Sequence, residues 1–128
     1  MTKVAGRLGP IGQIALHVSD ADRAEHFYRD IVGLPMLFRV GDLLFFDCGG
    51  VRLMLEGGHP PRSGEHAAFC IYLLTQAIDS AAAALTDAGV QFDKAPHRIA
   101  TMPDHELWMA FFRDPDANLL ALMEERRA

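Results

Sequence analysis

The segment Gln13-Ile-Ala-Leu-His-Val-Ser-Asp-Ala-Asp-Arg-Ala-Glu-His-Phe-Tyr-Arg-Asp-Ile-Val-Gly-Leu34 reads as a strand, a capped helix and a helix stop in direct succession. On a period of two, Ile14, Leu16 and Val18 point one way, and Gln13, Ala15 and His17 the other. Ser19 and Asp20 offer an N-cap, because a side-chain oxygen there can accept a free amide of the first helical turn. Ala24, Phe27, Tyr28 and Ile31 then follow the i, i+3, i+4, i+7 stripe of an amphipathic helix. Gly33 is placed to end it in the left-handed conformation, which carries no Cβ penalty in glycine.

Downstream, Leu37 to Val40, Leu43 to Asp47 and Val51 to Leu55 read as three short strands. Gly41-Asp42 and Gly49-Gly50 between them suit tight hairpin turns. These elements make a first module over about residues 11–56. Gly57-Gly-His-Pro-Pro-Arg-Ser-Gly64 cannot continue a strand and reads as a linker, 57–65. The order then repeats over about 66–124. Ala67 to Leu74 is a strand, and Ile78, Ala81, Ala82, Leu85 and Ala88 form a second helical stripe that stops at Gly89. Val90 to Phe92, Glu106 to Phe112 and Leu119 to Met123 are three further strands. Pro96 to Asp104 reads as a polar loop and Arg113-Asp-Pro-Asp-Ala-Asn118 as a turn. Two βαβββ modules, each with a helix over one sheet face, predict an α+β fold. Its mixed sheet curls around a cleft, in a single domain of residues 1–128.

A chain of 128 residues is long enough to bury a core without staples. The net charge of −5 comes without a basic block, which argues against a nucleic-acid partner. The first residues lack the apolar core of a secretory signal, and no apolar run is long enough for a membrane span. The expectation is a cytoplasmic protein whose two cysteines, Cys48 and Cys70, are buried free thiols. The Glu124-Glu-Arg-Arg127 run reads as a disordered end.

Two segments resemble the vicinal-oxygen-chelate superfamily, which holds glyoxalases, extradiol dioxygenases and bleomycin-resistance proteins. His17 to Leu34 is similar to that family's first strand and "FYrdvLGl" helix end. Phe111-Phe-Arg-Asp-Pro-Asp-Ala-Asn-Leu-Leu-Ala-Leu122 is similar to its "f-DPdGn-iEl" signature. The resemblance runs from Ile11 to Glu124 and is specific for the fold rather than for the reaction. It implies a small-molecule ligand, a homodimer and, in metal-dependent members, one divalent ion such as Fe, Ni, Zn or Mn. The four inherited ligand positions fall on Gln13, on Met54 with Glu56 two residues on, on either Cys70 or His66, and on Ala121. Gln13 is acceptable in the family, whereas a thioether and a methyl are not good donors for such an ion. The inherited set is therefore incomplete, and the metal is absent if the site is lost. The signature glycine is replaced by Ala117, which leaves Asn118 to supply the left-handed residue of that turn.

The remaining polar candidates are weighed on parity. His17 shares the Gln13 face, and the resemblance makes it a substrate-contacting or acid–base group; the alternative is a polar residue satisfied at the cleft wall. His66, Glu56 and Cys70 could rebuild a metal site with Gln13 or His17, but Glu56 and His66 sit at linker edges, where solvation is the simpler explanation since nothing in the sequence fixes their mutual geometry. Pro96 to Trp108 packs His97, His105, two acids, an arginine and the only tryptophan together, as a lid or a solvated loop would. There His105 is the second acid–base candidate, sharing a face with Leu107, Met109 and Phe111. Trp108 points the other way, toward a helix or a partner chain. Met54, Met109, Phe111 and His97 are the candidate ligand contacts, with Phe46 or Phe45, although core filler is the commoner fate of methionine. Two readings follow. One is a glyoxalase- or dioxygenase-like enzyme acting on a small oxygenated metabolite. The other is a bleomycin-resistance-type binding protein that has lost the metal.

Overall fold

The computed structural model describes residues 10–60 and 69–127. Contacts divide the chain into two compact units after Pro60. His66, Ala67 and Ala68 lie outside the described residues.

In the first unit, β1 (Gln13–His17) leads into α1 (Ala21–Glu25), followed by β2 (Met36–Val40), β3 (Leu43–Cys48) and β4 (Val51–Glu56). The strand order is β1-β4-β3-β2, with β1 and β4 parallel and the other pairs antiparallel. Asp20 caps α1 as expected, its carboxylate accepting from the Arg23 amide at 3.1 Å. The apolar stripe holds beyond Glu25, but the winding loosens. Residues His26–Ile31 are π-helical, and the Val32 amide donates to the Phe27 carbonyl at 2.8 Å. Gly33, at φ +85°, ends the helix. Alternation along β1 sends Leu16 and Val18 inward. They join Leu44, Phe46, Leu53 and Leu55 beneath Ala21, Ala24, Phe27 and the fully buried Tyr28. Gln13, Ala15 and His17 stay on the open face. Arg39 of β2 reaches back to Asp22 (2.8 Å) and Glu25 (2.9 Å) of α1, tying the edge strand to the helix.

In the second unit, β5 (Ile71–Leu74), α2 (Ile78–Asp87), β6 (Phe92–Thr101), β7 (Glu106–Arg113) and β8 (Leu119–Arg126) repeat the pattern. The order is β5-β8-β7-β6, again with the outer β5–β8 pair parallel. Ile78, Ala82 and Leu85 of α2 are buried, as are Ala110, Phe112, Leu120 and Leu122 of the sheet it covers. Each unit is thus a mixed sheet with a helix on one face, the α+β architecture the repeat predicted, and neither sheet closes into a barrel.

Three expectations are corrected here. The polar loop Pro96 to Asp104 is largely strand, because β6 continues to Thr101 and leaves only a short hairpin before β7. Proline is tolerated because β6 is an edge strand whose register shifts between Lys94 and His97, so the missing amide interrupts no ladder bond there. The acidic–basic end is ordered too: β8 runs to Arg126, and Glu124 is only 8% exposed. Its carboxylate accepts from the Ile78 amide at 2.9 Å, capping α2, whose own N-cap residue is Ala77. The left-handed residue of the last turn is Ala117 itself, at φ +67°, rather than Asn118. Asn118 is instead held by Asp114, which accepts from its amide and its side chain, both at 2.8 Å.

Candidate functional site

Register decides which side chains share the open face of the first sheet. Gln13 lies beside Arg52, Ala15 beside Met54 and His17 beside Glu56 across the β1–β4 ladder. Phe45 faces Met54 on β3, and Phe38 faces Phe45 on β2. The rings of Phe38 and Phe45 stack 4.4 Å apart, and the Arg52 guanidinium lies 5.4 Å from the Phe45 centroid. Phe46, the other phenylalanine considered for the ligand face, is in the core with no exposure.

At the His17 end of this face three ligand-type side chains converge. The chain turns after Glu56 through Gly57-Gly58 and is stitched back to the end of β1. Gly58 donates its amide to Ser19 (3.0 Å) and His59 to Val18 (3.1 Å). The path favours both glycines. A Cβ on Gly57 would stand 3.0 Å from the Ala21 Cβ and 3.2 Å from the Asp42 Cβ, and Gly58 has φ +84°. His59 is thereby laid flat on His17, ring centroids 3.7 Å apart and planes 2° from parallel. His59 Nε2 lies 2.8 Å from a Glu56 carboxylate oxygen. The hydrogen bond from His59, with the charge of both imidazoles, holds the Glu56 carboxyl below its usual range. The donor atoms of His17, Glu56 and His59 all lie within 4.8 Å of one another, the one such group of three found among the described residues. His59 was not singled out from the sequence, where it sits among Gly and Pro and reads as linker. The available signal was its spacing from Glu56, a carboxylate and an imidazole three residues apart.

The inherited metal positions fit an ion poorly. The Gln13 amide oxygen accepts from Arg52 Nε at 2.7 Å, and its amide nitrogen lies 3.9 Å from the Met54 sulfur. A guanidinium bonded to the one good donor repels a dication from the same place. In the second unit the matching position, Ala121, is fully buried between its ladder neighbours Tyr72 and Phe111, whose rings meet edge to face at 6.3 Å. Cys70 is half-buried, as is Cys48, so neither is the buried thiol expected. Burial pushes the Cys70 thiol above its usual range, which disfavours the thiolate a metal needs. His66, the other candidate for that position, lies outside the described residues.

The second unit groups other candidates. His97 pairs with Met109 across the β6–β7 ladder, and its ring lies 6.4 Å from Phe111. His97 Nδ1 bonds to the Ala95 carbonyl at 2.8 Å. His105 stands at the β6–β7 hairpin beside an open depression of about 490 Å³, also lined by Thr101, Asp104, Arg126 and Arg127. Its Nδ1 is 2.7 Å from Asp104, which also takes a 2.8 Å bond from Arg127. Those two bonds, Arg127 first, hold the Asp104 carboxyl at about 2. Trp108 lies on the opposite face, under the Arg126 guanidinium at 4.2 Å and bonded to Glu106. That is the parity of the buried Ala110 and Phe112, and the same arginine bonds Asp79 of α2 at 2.9 Å.

Residues 10–122 match the profile of the Glyoxalase/Bleomycin resistance protein/Dioxygenase superfamily. YraH of Bacillus subtilis (strain 168), an uncharacterised protein, is 29% identical over 126 residues, covering 86% of this chain and 94% of that one. Among solved structures, a lactoylglutathione lyase from Agrobacterium tumefaciens is 28% identical with a TM-score of 0.70, covering 91% of this chain and 94% of its own. A superfamily member from Sphaerobacter thermophilus is 25% identical with a TM-score of 0.73, over 92% and 98% of the two chains.

Proposed function

This chain belongs to the glyoxalase/bleomycin resistance protein/dioxygenase superfamily, and we propose that it is an enzyme of the glyoxalase kind, a lyase or isomerase acting on a small oxygenated metabolite. The observation that carries the reading is the convergence of His17, Glu56 and His59 at one end of an open sheet face floored by Phe38, Phe45 and Met54. An ionised carboxylate beside two stacked imidazoles supplies groups that can hold an ion or accept and return a proton, neither of which a pure binding surface needs. The aromatic and thioether floor suits the apolar part of the same molecule.

In this reading the polar end meets the substrate's oxygens and handles the proton that moves from a carbon beside a carbonyl. Likeness to a lactoylglutathione lyase supports adducts of 2-oxoaldehydes with small thiols as first substrates. Their conversion to a 2-hydroxy thioester shifts one proton between neighbouring carbons and a second between the oxygens they carry, and needs no oxidant. The reading includes one divalent ion per chain, Fe, Ni, Zn or Mn, held by side chains other than the inherited set. His105, oriented by Asp104, is a second proton-carrying group, and His97, Met109 and Phe111 are ligand contacts of the second unit. The protein works as a cytoplasmic homodimer without a nucleic-acid or membrane partner, the dimer being open to light scattering.

The test is turnover. The purified protein is assayed on a panel of 2-oxoaldehyde–thiol adducts, with thioester formation followed by absorbance. Turnover that falls at least about 100-fold in His17→Ala supports the reading, since one acid–base group contributes roughly 10²–10⁴. No turnover on any adduct, or turnover unchanged in His17→Ala, refutes it.

A further inference from the structure

We propose that His17, Glu56 and His59 are the ligands of a first-row divalent transition-metal ion, a centre contained in the first unit and displaced along the strands from the inherited positions. The proposal names the metal site of the reading above and rests on it for its place in catalysis, but ion binding itself is measured without substrate.

The donor set is the first argument. Two imidazoles and one carboxylate match zinc sites that keep positions open for water or substrate, and match the facial triads of iron. A set of oxygens alone would have favoured Mg or Ca. Side-chain exposure of 42% at Glu56 and 31% at His59 leaves the open positions facing solvent.

Backbone placement is the second argument. His17 and Glu56 are register partners of parallel strands, fixed by the ladder. His59 is delivered by a turn whose first glycine would bring a Cβ to 3.0 Å from the Ala21 Cβ and whose second has a positive φ. Backbone constraint of this kind fixes where the three side chains start and leaves only their rotation to binding, which a solvated linker does not need.

Geometry then makes a specific demand. An imidazole donates its lone pair in the ring plane, so two rings 3.7 Å apart and 2° from parallel cannot both address one ion. Donors bound at about 2.1 Å to a tetrahedral ion lie roughly 3.4 Å apart, closer than the 4.8 Å spread of the group. Binding must therefore turn one ring out of the stack and replace the His59–Glu56 hydrogen bond with coordination. Once bound, the ion would supply Lewis acidity to a substrate's oxygens.

The experiment is a titration of metal-free protein with Co²⁺ and Zn²⁺, with Ca²⁺ as the contrast. Co²⁺ is followed by its visible absorption, and Zn²⁺ by NMR of the histidine ring protons. The expected result is one Co²⁺ or Zn²⁺ per chain, no competition by Ca²⁺, and loss of the His17–His59 ring-current shifts on Zn²⁺ addition. His59→Gln and Glu56→Gln should each weaken binding by on the order of 100-fold or more, beyond what an outer-shell partner costs. Gln13→Ala should leave affinity within about threefold, with circular dichroism certifying the fold of each variant. No binding by the wild type overturns the proposal. So does binding that survives His59→Gln but is lost in Gln13→Ala, which would return the ion to the inherited place. Binding without turnover refutes the enzyme reading and leaves the centre standing; turnover without binding does the reverse.

Discussion

Replacing Ala117 by glycine should stabilise this protein. Ala117 is the one non-glycine residue with a positive φ, +67°, among the described residues. The turn around it is held by backbone and Asp114 contacts: the Ala117 amide donates to the Asp114 carbonyl at 2.9 Å, and the Ala117 carbonyl accepts from Arg113 at 3.0 Å. Asp114 also accepts from the Asp116 amide at 2.9 Å. None of these needs the alanine methyl. An L-residue in the left-handed region costs about 1–2 kcal/mol that glycine does not incur. Against this, glycine loosens the unfolded chain by roughly 0.4–1 kcal/mol. A half-buried methyl adds about 0.4 kcal/mol more to the opposing side. The net gain is about 0.5 kcal/mol. At about 2.1 cal/mol/K per residue of unfolding entropy, that raises Tm by roughly 2 °C for 128 residues. Calorimetry or urea unfolding of Ala117→Gly, wild type and Ala117→Val should rank them in that order, since a β-branched side chain tolerates positive φ worst. A glycine variant no more stable than wild type, or a valine variant equal to it, would refute the strain argument.

Gly57→Ala should cost about 1–3 kcal/mol through overpacking against Ala21 and Asp42, and should move His59 off His17; unchanged urea midpoints and ring-current shifts would contradict this. Glu124→Ala should cost about 1–2 kcal/mol as a lost cap, while Glu124→Gln, which keeps an acceptor for the Ile78 amide, should recover most of it. Acid sensitivity should appear between about pH 4 and pH 2. Asp104, bonded first by Arg127 and then by His105, and Asp30, bonded first by Arg29 and then by His26, each titrate at about 2 against an ordinary 3.8. A carboxyl depressed in the folded state stabilises it above the unfolded value and loses that contribution as pH falls through the folded one. The Asp30→Asn/Asp104→Asn variant should therefore show a flatter urea midpoint across that window, and an unchanged slope would refute the assignment.

Most of the fold was legible because local and global preferences agree. The alternation of β1, the Asp20 cap, the stripe through Phe27 and Tyr28 and the glycine stops each appear where the sequence put them. The departures have physical causes outside the local window. Pro96 sits in strand because edge position and a register shift remove the need for its amide. Glu124 is buried because a helix end distant in sequence needs its carboxylate. Ala117 keeps the left-handed place because the surrounding turn hydrogen bonds fix the backbone. The site was half legible. Parity placed His17 on the open face, and Glu56 was a ligand-type residue on the adjoining strand. His59 was hidden by its Gly-Gly-His-Pro-Pro setting, which looks like linker until Gly58 and His59 are seen bonding back to Ser19 and Val18.

The most direct test of the account is an anomalous-scattering map from crystals grown with Co²⁺, recorded on both sides of the cobalt edge. One dominant peak per chain is expected within coordination distance of His17, Glu56 and His59, with the two histidine rings no longer stacked. A peak at Gln13 and Met54, or no peak in the first unit with the histidine stack intact, would contradict it.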